Sequence, residues 1–182
     1  MINLKSPSPQ DTKSNRLGGL IDSALFALLG ALLIVVQVAL AFLPNIELVS
    51  ILIVVYTVVF GFKAMIPTAV FVVAEWLIYG FGLWSINYIY VWPLLVLIAY
   101  IFRKNRSPLF WALVCGIYGL VFGALCAIVQ ACVGGIAFGI SYWINGIPFD
   151  LLHCAGNFVT ALLLFRPLTR ALETAAKKIG RL

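Results

Sequence analysis

The lysines and arginines of this 182-residue chain fall into a few groups, and long apolar stretches separate them. They stand at Lys5, Lys13, Arg16, Lys63, Arg103, Lys104, Arg106, Arg166, Arg170, Lys177, Lys178 and Arg181. A helix needs about 20 apolar residues to cross the hydrocarbon layer of a membrane. Lipid gives the backbone no hydrogen-bond partner, so each crossing stretch must satisfy its own backbone as a helix. Threaded as six helices with both ends on one side, the chain puts all 12 of its cations on that side. Basic residues accumulate in cytoplasmic connections. The sequence therefore predicts an all-α membrane protein, a bundle of six transmembrane helices with cytoplasmic N and C termini.

Composition points the same way. The chain is 64% hydrophobic and 10% charged, with a mean hydropathy of +1.12, and has too few polar residues to coat a water-soluble domain. A net charge of +6 on a soluble protein would point to nucleic acid. Here the charge sits at cytoplasmic helix ends, where it sets orientation and meets anionic lipid, so no nucleic-acid partner is expected. Cys115, Cys126, Cys132 and Cys154 lie in or near apolar segments without the paired spacing of a zinc site, and are read as packing residues. No metal site is expected.

Three regions follow. Residues 1–17 form a polar cytoplasmic tail with no cleavable apolar core. Residues 18–166 hold the six spans, near 18–43, 46–62, 64–83, 84–102, 109–132 and 150–166. Residues 167–182 read as an amphipathic cytoplasmic tail, with Leu168, Leu172, Ala175 and Ile179 on one face, for lipid or for a partner. The stretch 133–149, VGGIAFGISYWINGIPF, is too apolar for a solvated loop and too rich in glycine for a stable helix. Two readings stay open for it: a lid or re-entrant element, and a loop packed on the bundle.

Polar side chains within the spans gather in the outer half. Glu75 sits roughly 12 Å below the outer end of the third span. Asn87 and Tyr88 begin the fourth, while Asp150, His153 and Asn157 line one face of the sixth. Trp84, Trp143 and Asn145 lie at the same level. Intramembrane polar groups need partners or water and commonly mark a binding cavity. An outer polar bowl with aromatic walls fits capture of a solute, and the ligand-binding candidates are Glu75, Trp84, Asn87, Tyr88, Trp143, Asn145, Asp150, His153 and Asn157. The structural alternative makes Asp150 a helix-start residue and His153 a satisfied bundle histidine. No nucleophile with a positioned base can be named, so no catalytic set and no enzyme activity are expected. Small residues form two stripes: Gly119 and Gly123 in the fifth span, read as internal packing, and Ser23, Ala27 and Ala31 in the first.

Six short spans, both ends inside, an outer polar bowl and an AxxxA motif at Ala27–Ala31 resemble the S component, the substrate-binding subunit of an energy-coupling factor (ECF) vitamin transporter. The resemblance implies a protein of the bacterial plasma membrane without chemistry or cofactor of its own. It implies partners as well: a transmembrane coupling subunit that Ala27 and Ala31 would contact, and two ATPase subunits that bind the ATP. The chain itself has no GxxxxGK[ST] phosphate-binding loop. The segments PNIELVSILIVVYTVVFG and GFGLWSINYIYVWPLL are similar to a subgroup associated with cobalamin uptake, which makes cobalamin the first expectation for the vitamin. Pantothenate and riboflavin stay open, although a bowl without a basic residue suits a carboxylate ligand poorly. The alternatives of another class are an intramembrane enzyme using Glu75 with His153, and a small secondary carrier. The carrier would need polar access from both sides and an internal repeat, and the sequence shows neither.

Overall fold

The computed structural model describes residues 9–182, with side chains from Gly18 onward. The expected tail over residues 1–8 lies outside the described residues, as do the side chains of Lys13 and Arg16. The described residues are helical and contain no strand. The helices are α1 (Pro9–Leu40), α2 (Val49–Phe60), α3 (Met65–Tyr79), α4 (Leu83–Ile101), α5 (Pro108–Gly134) and α6 (Ile136–Lys178). Five segments are long and apolar enough to cross a membrane: Gly18–Leu40, Val49–Tyr79, Leu83–Ile101, Pro108–Gly134 and Ile136–Lys178. The second of these joins α2 and α3 through a 3-10 turn, Gly61–Ala64.

That turn reverses the chain. Gly61 takes φ +63°, which side-chain-bearing residues adopt only at a cost, and it stops α2. Lys63 in the turn reaches Asp22 near the start of the apolar part of α1, with Nζ 3.9 Å from the carboxylate. Glu47 before α2 and Tyr79 at the end of α3 instead border one cavity together with Gln37, near the other end of α1. The bundle thus has a basic end and a cavity end. The basic end is tied by Arg181, whose Nε lies 2.8 Å from Asp22, and by Arg106, 2.7 Å from Glu173.

Between the two ends lies a continuous apolar core. Every residue of α2 from Val49 to Val58 is buried, and Phe71, Leu95, Trp111 and Phe165 are all but inaccessible. The polar side chains in this layer satisfy themselves. Thr57 and Thr68 donate to carbonyls one turn earlier in their own helices, Ile53 at 2.7 Å and Ala64 at 2.8 Å. Tyr56 donates to the Leu29 carbonyl and Tyr118 to that of Val91, each tying two helices together.

The antiparallel pair α5 and α6 is the most closely packed contact. Ser107 caps α5, accepting from Phe110 N–H at 3.4 Å, and Pro108 takes the first turn, where its missing N–H costs nothing. Gly116, Gly119 and Gly123 then face α6. A Cβ on Gly119 would stand 2.8 Å from the His153 carbonyl, and one on Gly123 would overlap the Asp150 carboxylate. The GxxxG pair is internal packing, as its pattern leads one to expect.

One expectation from the sequence is corrected here. The long connection expected over 133–149 is helical: the chain turns at Gly135, with φ +86°, and α6 begins at Ile136. Gly139 serves packing, since a Cβ there would stand 3.0 Å from the Ala127 carbonyl oxygen, while Gly135 makes the turn. Tertiary contact thereby outweighs low intrinsic helix propensity. Beyond the last expected span, α6 runs on without a break through Pro167 to Lys178. At the other terminus, residues 9–17 already belong to α1.

Gly119 and Gly146 form a matched test. Gly119→Ala should lower stability by about 1–3 kcal/mol through overpacking against the α6 backbone. Gly146, with open space around its Cβ position, should tolerate alanine or gain about 0.5–1 kcal/mol. Reversible unfolding in mixed micelles checks both, and equal effects would contradict the packing described.

Candidate functional site

A cavity of about 450 Å³ opens at the end of the bundle away from the cations. Four elements build most of it. The end of α1 supplies Gln37, and the turn after it supplies Asn45 and Glu47. The last turn of α3 brings Glu75 and Tyr79, and α4 contributes Trp84, Tyr88 and Trp92, spaced four residues apart and therefore on one helix face. Phe122 of α5 and His153 of α6 close the wall.

Glu47 organises the entry to α2. Its Oε2 accepts the Ser50 backbone N–H at 2.8 Å, satisfying one of the donors left free at a helix start. Its Oε1 lies 3.3 Å from His153 Nε2, and both side chains are buried. One turn further along α6, Asn157 donates to Ser50 Oγ at 3.3 Å. Two α6 side chains thus clasp the start of α2.

Glu75 differs from Glu47. It is 2% exposed, it borders the cavity, and its Oε1 has no hydrogen-bond partner in the protein. Asn157 Oδ1 and Trp92 Nε1 are likewise buried without a partner. A buried polar group left unpaired costs roughly 1–3 kcal/mol, and three such groups lie in or beside this cavity. The aromatic wall is ordered: Trp84 and Tyr88 meet edge to face at 5.1 Å, and Tyr88 meets Trp92 in the same way at 5.5 Å.

The residues singled out from sequence separate in space. Glu75, Trp84, Tyr88 and His153 share this cavity, and Asn157 lies beside it through Ser50. Asn87 is buried with its Oδ1 3.1 Å from the Tyr90 hydroxyl, which donates to the Leu125 carbonyl at 2.6 Å and ties α4 to α5, and Asn87 does not line the cavity. Asp150 and Asn145 border a second, open cavity of about 550 Å³ between α5 and the first part of α6. There Asp150 Oδ1 accepts the Gly123 N–H at 2.9 Å. Trp143 borders neither cavity and is 43% exposed. Gln37 and Trp92 belong to the outer polar and aromatic set of the sequence without being among the ligand-binding candidates, and Tyr79 and Phe122 carried no signal.

Among the described residues no hydrogen bond joins Glu75 to His153, and no cluster of three or more His, Cys, Asp or Glu side chains could hold a metal ion. The cavity offers one unpaired carboxylate oxygen, an indole donor and flat aromatic surface, with the Asn157 amide oxygen beside it. Comparisons with protein-family models, curated proteins and solved structures find no match to this chain.

The Glu47–His153 contact can be measured directly. A double-mutant cycle with Glu47→Gln and His153→Ala, followed by unfolding in mixed micelles, should give a coupling of about 1–3 kcal/mol. A coupling near zero would mean that the two side chains do not share a bond.

Proposed function

We propose that this chain is the substrate-binding S subunit of an ECF-type importer, which takes a vitamin-sized solute into its polar cavity from outside the cell. One observation carries the reading: the buried Glu75 Oε1 and Trp92 Nε1, neither with a partner in the protein, border one cavity together with an aromatic wall, and the unpaired Asn157 Oδ1 lies beside it. A channel or carrier with access from both sides would need polar groups along its whole length. Sidedness follows from the cations. With the basic end in the cytoplasm, the described cations obey the positive-inside rule and the cavity faces out. In this reading α2 and α3 are two short passes joined at Lys63, which makes six passes with both termini inside.

The lining favours a small solute. A volume of about 450 Å³ falls within the roughly 300–1,000 Å³ usual for drug-sized ligands. Cobalamin, the first expectation from sequence, is far bulkier and would enter only in part, so a smaller vitamin fits better. Transport in this reading needs a transmembrane coupling subunit and two ATPase subunits. The side of α1 bearing Ala27 and Ala31 is exposed, as are Leu28 and Leu32 between and beside them. Small residues let a partner helix approach closely there.

Three measurements test this. Extraction of the purified protein followed by mass spectrometry should release a stoichiometric small molecule, and cobalamin added in excess should bind more weakly than that molecule. Ala27→Trp and Ala31→Trp together should abolish co-purification with a coupling complex while leaving solute binding unchanged; undiminished assembly would rule out the α1 face. In intact cells, an impermeant thiol reagent should label a cysteine at Gly135 and spare one at Asn105 in a background without the native cysteines. The opposite pattern would invert the topology.

A further inference from the structure

The geometry points to a positively charged solute in this cavity: an organic cation whose charge, on a flat nitrogen-containing ring, rests between the Glu75 carboxylate and the faces of Trp84 and Tyr88. This rests on the cavity being a solute site and names the chemistry of what it holds.

The argument is one of charge balance. Two carboxylates border the cavity, and no lysine or arginine does. Covalent spacing makes that strict. The chain has no basic residue between Arg16 and Lys63 or between Lys63 and Arg103. Lys63 itself is 12 residues from Glu75, about 18 Å along a helix, and it is engaged with Asp22 at the basic end. Of the two carboxylates, Glu47 is already matched by His153 and the Ser50 N–H. Glu75 is not, and an ionised carboxylate in a low-dielectric site demands a cation or several donors.

The walls answer the same description. Ring faces carry negative potential, and a cation within about 6 Å of an aromatic centroid is attracted to it. Trp84 and Tyr88 stand edge to face with an interplanar angle of 79°, which makes two walls of a corner beside Glu75. Trp92 Nε1, buried without a protein acceptor, gives a donor for a carbonyl or ring nitrogen of the solute. A carboxylate, an aromatic corner and one donor together suit a flat cation with a single acceptor group. An anionic solute would meet Glu75 with nothing to offset the repulsion.

Three probes of nearly identical shape isolate the charge: 1-methylnicotinamide (a cation), 3-methylbenzamide (neutral) and 3-methylbenzoate (an anion). Titration calorimetry on the full chain in lipid nanodiscs, after removal of any co-purified molecule, should give at least about tenfold tighter binding of the cation than of the neutral probe, with no detectable binding of the anion. Glu75→Gln should bring the cation and neutral probe within about threefold of each other. Trp84→Leu should weaken the cation more than the neutral probe. Saturable binding of the neutral probe or the anion without preference for the cation would overturn the cation assignment and leave the solute site standing. The same holds for a preference that survives Glu75→Gln. If no probe binds and extraction releases no small molecule, both readings fall together.

Discussion

The close approach of α5 and α6 sets the position of everything at the cavity end. Three glycines on α5 let the α6 backbone come near enough that added Cβ atoms would meet the His153 carbonyl or the Asp150 carboxylate. That contact fixes the rotation of α6 about its own axis. With the rotation fixed, His153 and Asn157 point at the start of α2, while Asp150 stays against α5. In a lipid environment no hydrophobic drive holds helices together, so close packing and interhelical hydrogen bonds carry that task. The cavity is what remains where α1, α3 and α4 pack less closely around this pair.

The two ends of the bundle handle polarity in opposite ways. At the basic end, Asp22 is shared by Lys63 and Arg181, which links α1, the α2–α3 turn and the C-terminal residues. These groups are partly exposed, and the pairs serve more as tethers than as sources of stability. The middle layer contains hydroxyls that bond to backbone carbonyls and need nothing further. At the cavity end Glu75 Oε1, Trp92 Nε1 and Asn157 Oδ1 are buried without a partner in the protein.

Helix existence and the crowding of polar groups at one end were legible in the sequence; helix rotation was not. Charge positions and apolar run lengths locate the spans, because both are properties of the chain in one dimension. Whether Asn87 faces the cavity or Tyr90 depends on how α4 turns against α5, and that is decided by contacts distant in sequence. The stretch 133–149 misleads for a related reason. Its glycines lower helix propensity, yet Gly139 is what allows α6 to lie on Ala127 and Ala131, and packing outweighs propensity there. The level of Glu75 shifts for a simpler one: α3 ends at Tyr79, four residues before the expected outer end at 83, so the carboxylate lies one turn below the helix end, about 6 Å down.

A solute in this cavity has one way out. Beneath Glu75 and Gln37, one turn further into the bundle, lie Phe71 and Leu33, both inaccessible, with Phe71 packed against Tyr88 and Trp92. Below them the Thr57 and Thr68 hydroxyls are spent on backbone carbonyls of their own helices. Opening a path through that layer would mean separating helices whose core is continuous from α1 to α6. Moving the bundle as a body leaves the core intact and changes only which residues face lipid or a partner. The exposed side of α1, apolar along its length and lined with small residues near the basic end, is suited to such sliding contact. In the proposed reading, a cavity closed at its inner end and a smooth outer helix suit a subunit carried across by a partner better than a transporter that works alone.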